Sequence, residues 1–144
     1  MFFPISKLKL KKVGEKVLVF DPIRKKYVLL TPEEWVRQQC IQWLIFQKGY
    51  SPQWMQIERG LQYGTKLNRS DILVMNTEGK PQLLVECKAA YVALSQETVE
   101  QLCRYNHIIG AKYIMLTNGL EAQAYVWDEA AQMYQALDEL PAFG

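Results

Sequence analysis

The sequence predicts an α/β fold, a mixed central sheet flanked by helices, and three observations carry that prediction. Short runs of β-branched and aromatic residues recur along the chain, two stretches between them switch to helical spacing, and punctuating Gly, Pro and Asn residues separate the runs. The resulting order, β-β-α-β-β-β-α-β-β-β, is that of strands packed with helices in layers. A length of 144 residues fits one domain, 1–144, with about residues 1–31 forming a β-hairpin extension ahead of the core. A hydrophobic fraction of 49% with 22% charged residues excludes disordered and fibrous classes.

Each element has its own warrant. Val17-Leu18-Val19-Phe20 and Tyr27-Val28-Leu29-Leu30 read as the hairpin, with Asp21-Pro22 in the turn. Thr31-Pro32-Glu33-Glu34 announces a helix, with Thr31 as N-cap, Pro32 at the first helical position and Glu34 at the third. Val36, Cys40, Trp43, Leu44 and Gln47 follow at helical spacing until Gly49 stops it. A strand is expected over residues 53–63, then a loop containing Gly64. Asp71–Met75 and Gln82–Glu86 form two strands around Asn76-Thr77-Glu78-Gly79-Lys80. Ser95 caps a second helix reaching His107, and Gly110 follows its end. Strands Tyr113–Leu116 and Ala124–Trp127, and a weaker one near residues 132–136, complete the sheet before an irregular tail.

Composition narrows the classes of function. The N-terminus lacks the apolar segment of a signal peptide, and no run approaches the roughly 18 apolar residues of a membrane span. Cys40, Cys87 and Cys103 are odd in number and show no CxxC spacing, so neither a paired disulfide framework nor structural zinc is expected. Cys87 and Cys103 lie in apolar-rich segments, as buried thiols do. A cytoplasmic protein is the reading. The net charge of +2 is unevenly spread. Residues 1–31 carry eight basic and two acidic side chains, a net +6; residues 32–144 carry nine basic and thirteen acidic, a net −4. A basic front end either follows a phosphate backbone or is a charged edge that discourages sheet-to-sheet association.

The central hairpin carries the chemistry. If it is centred between Glu78 and Gly79, residues whose numbers add to 157 oppose each other, which pairs Val74 with Leu83, Leu73 with Leu84, and Asp71 with Glu86. Opposed residues have Cβ atoms about 4.5–5.5 Å apart, within reach of one shared ion. Lys88, two residues past Glu86, falls on the same face. Two carboxylates about 5 Å apart at an effective dielectric near 20 repel by roughly 3 kcal/mol. A protonated carboxyl, the Lys88 ammonium or a divalent cation would relieve that repulsion. Oxygen donors without His or Cys suit Mg²⁺ or Mn²⁺ rather than zinc. The same trio also fits an ordinary ion cluster at the end of two strands.

The pattern Asp71…Glu86-Cys87-Lys88 resembles the D…ExK signature of the PD-(D/E)XK nuclease superfamily, with Ser70 where proline is usual. Gln101-Leu102-Cys103-Arg104-Tyr105 matches the QxxxY element of several of its branches. With Pro32-Glu33-Glu34-Trp35-Val36-Arg37-Gln38 and Leu116-Thr117-Asn118-Gly119, the chain resembles the N-terminal domains of type I restriction enzyme R subunits, and more closely their short stand-alone bacterial relatives. The resemblance implies a restriction-endonuclease-like fold and Mg²⁺- or Mn²⁺-dependent hydrolysis of DNA phosphodiesters, in restriction or DNA processing. It assigns Asp71 and Glu86 as metal ligands, and Lys88 to position the attacking water and steady phosphate charge. Gln101 and Tyr105, one helical turn apart, either brace that site and touch a phosphate or pack as an amide and a phenol against the sheet.

Glu34 is a candidate further acid, although its capping position is itself a sufficient role; Glu58 is another. His107, near a helix C-terminus, has a favourable electrostatic place there and no proposed catalytic role. A DNA-binding or assembly module that keeps the fold without turnover is the alternative function. One site cleaves one strand, so double-strand cutting implies a homodimer or successive nicks. No P-loop pattern occurs in these residues, so a translocating motor or other restriction-system subunits would be separate partners.

Overall fold

The N-terminal segment builds a small antiparallel sheet of its own. The structure, a computed structural model, describes residues 2–57 and 71–143, and of Asp71 the backbone alone. Strands β1 (Leu10–Val13), β2 (Lys16–Asp21) and β3 (Lys26–Leu29) pair in the order β1-β2-β3. The expected hairpin is therefore the second half of a three-stranded sheet. β1 escapes sequence reading because Leu10-Lys11-Lys12-Val13 has no period-two alternation and all four residues are exposed. What makes it a strand is Gly14, whose φ of +61° closes the turn that opposes Val13 to Lys16.

Helix α1 (Pro32–Phe46) starts as its sequence requires: Thr31 Oγ1 accepts the Glu34 N–H at 3.0 Å, with Pro32 in the first turn. Gly49, at φ +75°, turns the chain so that the Tyr50 N–H reaches the Leu44 carbonyl at 3.0 Å. A 3-10 turn, Pro52–Trp54, leads into β4 (Met55–Ile57). The rest of the strand expected over 53–63, together with Glu58, Gly64 and Ser70, lies outside the described residues. The main sheet continues with β5 (Asp71–Met75), β6 (Pro81–Cys87), β7 (Tyr113–Thr117), β8 (Ala122–Asp128) and β9 (Met133–Leu137). Its order is β4 to β9 without interruption, antiparallel except for the parallel pair β6 and β7. Helix α2 (Gln96–Ile109) makes that crossover, capped by Ser95 and ended by Gly110 at φ +80°. Among the described residues the architecture is thus mixed α/β, with two α-helices and two sheets.

Strand alternation sorts the core into two layers. Val36, Cys40, Ile41 and Leu44 of α1 pack with Ile72, Val74, Leu83, Val85 and Cys87. Val99 and Leu102 of α2 pack with Leu84, Ile114 and Leu116 on the opposite side. β6 is consequently buried from Leu83 to Cys87, which explains its near-continuous apolar run. Full burial of each such side chain contributes about 1.5–3 kcal/mol. Cys40 and Cys87 meet in the α1 layer, and burial, reinforced by the Cys87 neighbour, pushes the Cys40 thiol far up. Cys103, expected to be buried, is only half-buried, because it sits on the flank of α2 rather than beneath it. No described helix is long and apolar enough to cross a membrane.

Candidate functional site

The site is set by the hairpin of β5 and β6. Asn76 organises its turn, Oδ1 accepting the N–H groups of Glu78 at 2.9 Å and Lys80 at 3.0 Å, while Gly79 takes φ +77°. From there the register runs Val74 to Leu83, Leu73 to Leu84, Ile72 to Val85 and Asp71 to Glu86. A one-residue slip, pairing Met75 with Pro81, is confined to the turn end. The opposition of Asp71 and Glu86 expected from the sequence is therefore present in the backbone.

Glu86 is buried, its side chain 7% exposed, at the end of β6 on the α2 side. Lys88 follows it on the same side, with its ammonium 3.8 Å from Glu86 Oε2 and its side chain 28% exposed. That separation is an ion pair without a direct hydrogen bond. The Lys88 N–H donates to the Thr117 carbonyl at 2.8 Å, which prolongs the parallel pairing past β6 and fixes the residue. Asn118 holds the following loop. Its Nδ2 donates to the Val92 carbonyl at 2.8 Å, and its Oδ1 accepts the N–H groups of Leu120 at 3.0 Å and Glu121 at 2.9 Å. The Leu116–Gly119 segment thus clasps the loop that leaves Lys88, a role its Asn-Gly turn chemistry could have signalled.

A divalent cation suits this donor set. Asp71 and Glu86 offer hard carboxylate oxygens, and the intervening Cys87 belongs to the other layer with Cys40. Among the described residues no three His, Cys, Asp or Glu side chains gather into a metal cluster.

The other candidates are dispersed. Tyr105 packs partly buried against the Leu84, Leu102 and Leu116 cluster, under the same helix that covers the Glu86 side of the sheet. Gln101, one turn earlier, is exposed. His107 lies in the last turn of α2, beside a surface cleft lined by Cys103, Asn106, Trp127 and Tyr134. Glu34 stands in the α1 layer, in a buried network that sequence reading did not find. Its Oε1 accepts Arg24 Nη2 and Arg37 Nη1, each at 2.9 Å, and its Oε2 accepts Gln38 Nε2 at 3.1 Å. Gln38 Nε2 also donates to Asp21 Oδ2 at 3.0 Å, and Arg24 Nε donates to the same oxygen at 2.7 Å. The residues of this network were visible as a turn and a helix start, but no spacing rule links them.

Residues 32–141 match the sequence family described as the type I restriction enzyme R protein N terminus. The chain belongs to that family. A comparison with curated proteins gave no match. The matched region begins at Pro32, the first residue of α1, and includes the hairpin, α2 and the Asn118 clasp. The sheet β1–β3 precedes it.

Proposed function

We propose that this chain is a metal-dependent deoxyribonuclease of a restriction system, with the restriction-endonuclease-like fold of the PD-(D/E)XK superfamily. The observation that carries the reading is the juxtaposition of Asp71 opposite Glu86 with the Lys88 ammonium 3.8 Å from the Glu86 carboxylate. Membership of the R-protein N-terminal family supports it. Bound Mg²⁺ or Mn²⁺ supplies a Lewis acid for the scissile phosphate. Asp71 and Glu86 would hold that ion. Lys88 orients the attacking water and stabilises the charge that grows on the phosphate oxygens. Gln101, exposed on α2, contacts the DNA backbone, and Tyr105 steadies the helix against the sheet. The substrate is DNA in the cytoplasm. A second copy of the chain, or successive nicks, completes double-strand cutting, and any translocation is the work of a separate motor or restriction subunit.

The test compares wild type with Lys88→Met on single-stranded, duplex and branched DNA with Mg²⁺, alongside thermal melts. Loss of a group that stabilises developing charge lowers the rate on the order of 10²–10³-fold. The expected result is lost cleavage with a nearly unchanged melt. If wild type cleaves none of these substrates and Lys88→Met melts much earlier, the trio is a salt-bridge cluster in a non-catalytic DNA-binding or assembly module.

A further inference from the structure

The lysines of the N-terminal segment are gathered rather than scattered. The register of β1, β2 and β3 puts Lys11 across from Leu18, Val13 across from Lys16, and Phe20 across from Tyr27, while the Phe20 N–H donates to the Lys9 carbonyl at 2.9 Å. Lys9, Lys11 and Lys16 therefore share one face of the sheet with Phe20 and Tyr27. The two rings meet edge to face with centroids 5.4 Å apart and make a single aromatic floor. Above it, Lys9 Nζ stands 5.1 Å from the Phe20 centroid and Lys11 Nζ 4.9 Å from that of Tyr27. These cation–π contacts hold both ammoniums over the face instead of letting them trail into solvent.

The opposite face is the anchored one. Val19 and Asp21 are buried there, and Asp21 is bonded to Arg24 and to Gln38 of α1. The one acid of the segment that could offset the lysines from within the sheet is thus turned away and neutralised. Seven exposed lysines (Lys7, Lys9, Lys11, Lys12, Lys16, Lys25 and Lys26) face one exposed acid, Glu15. By register Lys12 and Lys26 share the anchored face, whereas Lys9 and Lys11 are held over the rings, a placement that a charged edge deterring association does not need.

We propose that this outer face of the β1–β3 sheet docks the phosphate backbone of a nucleic acid. Its ligand is a polyanion with regular charge spacing. Same-face residues along a strand repeat at about 6.8 Å, twice the strand rise. Lys9 and Lys11 therefore offer two separated ammoniums along the strand to a backbone that carries one charge per nucleotide. The choice of DNA as occupant rests on the proposed nuclease reading. The sheet is joined through Asp21 and Gln38 to α1, which covers the layer of the main sheet opposite the Glu86 side chain.

The experiment measures binding of a short fluorescent DNA duplex by anisotropy, without divalent ions, across a salt series. The full chain is compared with Lys9→Gln/Lys11→Gln, with Lys9→Arg/Lys11→Arg, and with the charge-matched control Lys80→Gln/Lys112→Gln; melts verify folding. Each lost phosphate contact lowers the salt slope by about 1, so the first double variant should lose about 2 and bind about tenfold more weakly. The Arg double and the control should bind like wild type. Equal losses in the two Gln doubles would overturn the proposal. So would stronger binding to phosphatidylserine vesicles than to DNA, or displacement by polyglutamate as effective as by DNA of equal charge. Lysine-dependent binding without cleavage would leave this inference standing and remove the nuclease reading; cleavage with unaltered salt slopes would do the reverse.

Discussion

The two sides of the main sheet treat buried charge in different ways. On the α1 side, Asp21 and Glu34 are enclosed by Arg24, Arg37 and Gln38 through directional hydrogen bonds of 2.7–3.1 Å. On the α2 side, Glu86 has Lys88 at 3.8 Å and Asp71 across the ladder. The first arrangement uses carboxylates to fasten the N-terminal sheet and its turn onto a helix. The second places the buried Glu86 carboxylate 3.8 Å from the Lys88 ammonium at the end of two strands. Burial and charge are common to both; the partners differ, an Arg and Gln network on one side and a carboxylate–ammonium pair at a strand end on the other.

The largest effect is expected on the α1 side. Breaking one partner of a buried pair costs about 3–5 kcal/mol, so Glu34→Gln should lower stability by that order in urea titrations. Cleavage per folded molecule should stay at the wild-type level. A Glu34→Gln protein that is fully folded yet inactive would break the division and bring Glu34 into the catalytic site.

A smaller effect is expected on the α2 side. Mg²⁺ or Mn²⁺ that binds the folded chain should stabilise it by about 2.7 kcal/mol at one hundred times the dissociation constant. Asp71→Asn should remove most of that gain and leave the α1 side unaltered. Equal melting shifts in wild type and Asp71→Asn would mean the ion binds elsewhere.

The smallest effect tests how closed the α1 side is. Burial, helped by the neighbouring Tyr113, raises the Tyr50 phenol from 10.0 to about 12. A raised folded-state value favours the protonated form, so this contribution is fully present below pH 10 and lost as pH rises from 10 to about 12. Tyr50→Phe should flatten the decline of stability in that alkaline window. An unchanged decline would show that water reaches the phenol.

The hairpin register was legible because two independent signals agreed: an Asn76–Lys80 turn containing Gly79, and apolar residues that match across the strands. Helix starts were legible because Thr31 and Ser95 must satisfy N–H groups that the helix cannot. β1 was not, since its lysines carry no burial pattern and pairing alone defines it. The Asp21–Glu34 network was hidden for another reason. Its members come from a strand, a turn and a helix, and only tertiary packing aligns them. Glu34 shows the limit well: the capping motif predicted its N–H bond to Thr31 but not the destination of its carboxylate.

The one-residue slip between Val74 and Met75 sets a phase rule for the hairpin. Neighbouring residues of β6 serve opposite layers, Cys87 meeting Cys40 while Glu86 stands on the α2 side. Moving the strand by one position would exchange the two and put a thiol where a carboxylate belongs. The slip absorbs an odd residue near the turn, before it can propagate to Asp71. Loop grafts between Met75 and Pro81 should therefore be tolerated across a range of lengths when they keep the even–odd phase of β6, and should abolish function when they invert it, even if the protein still folds.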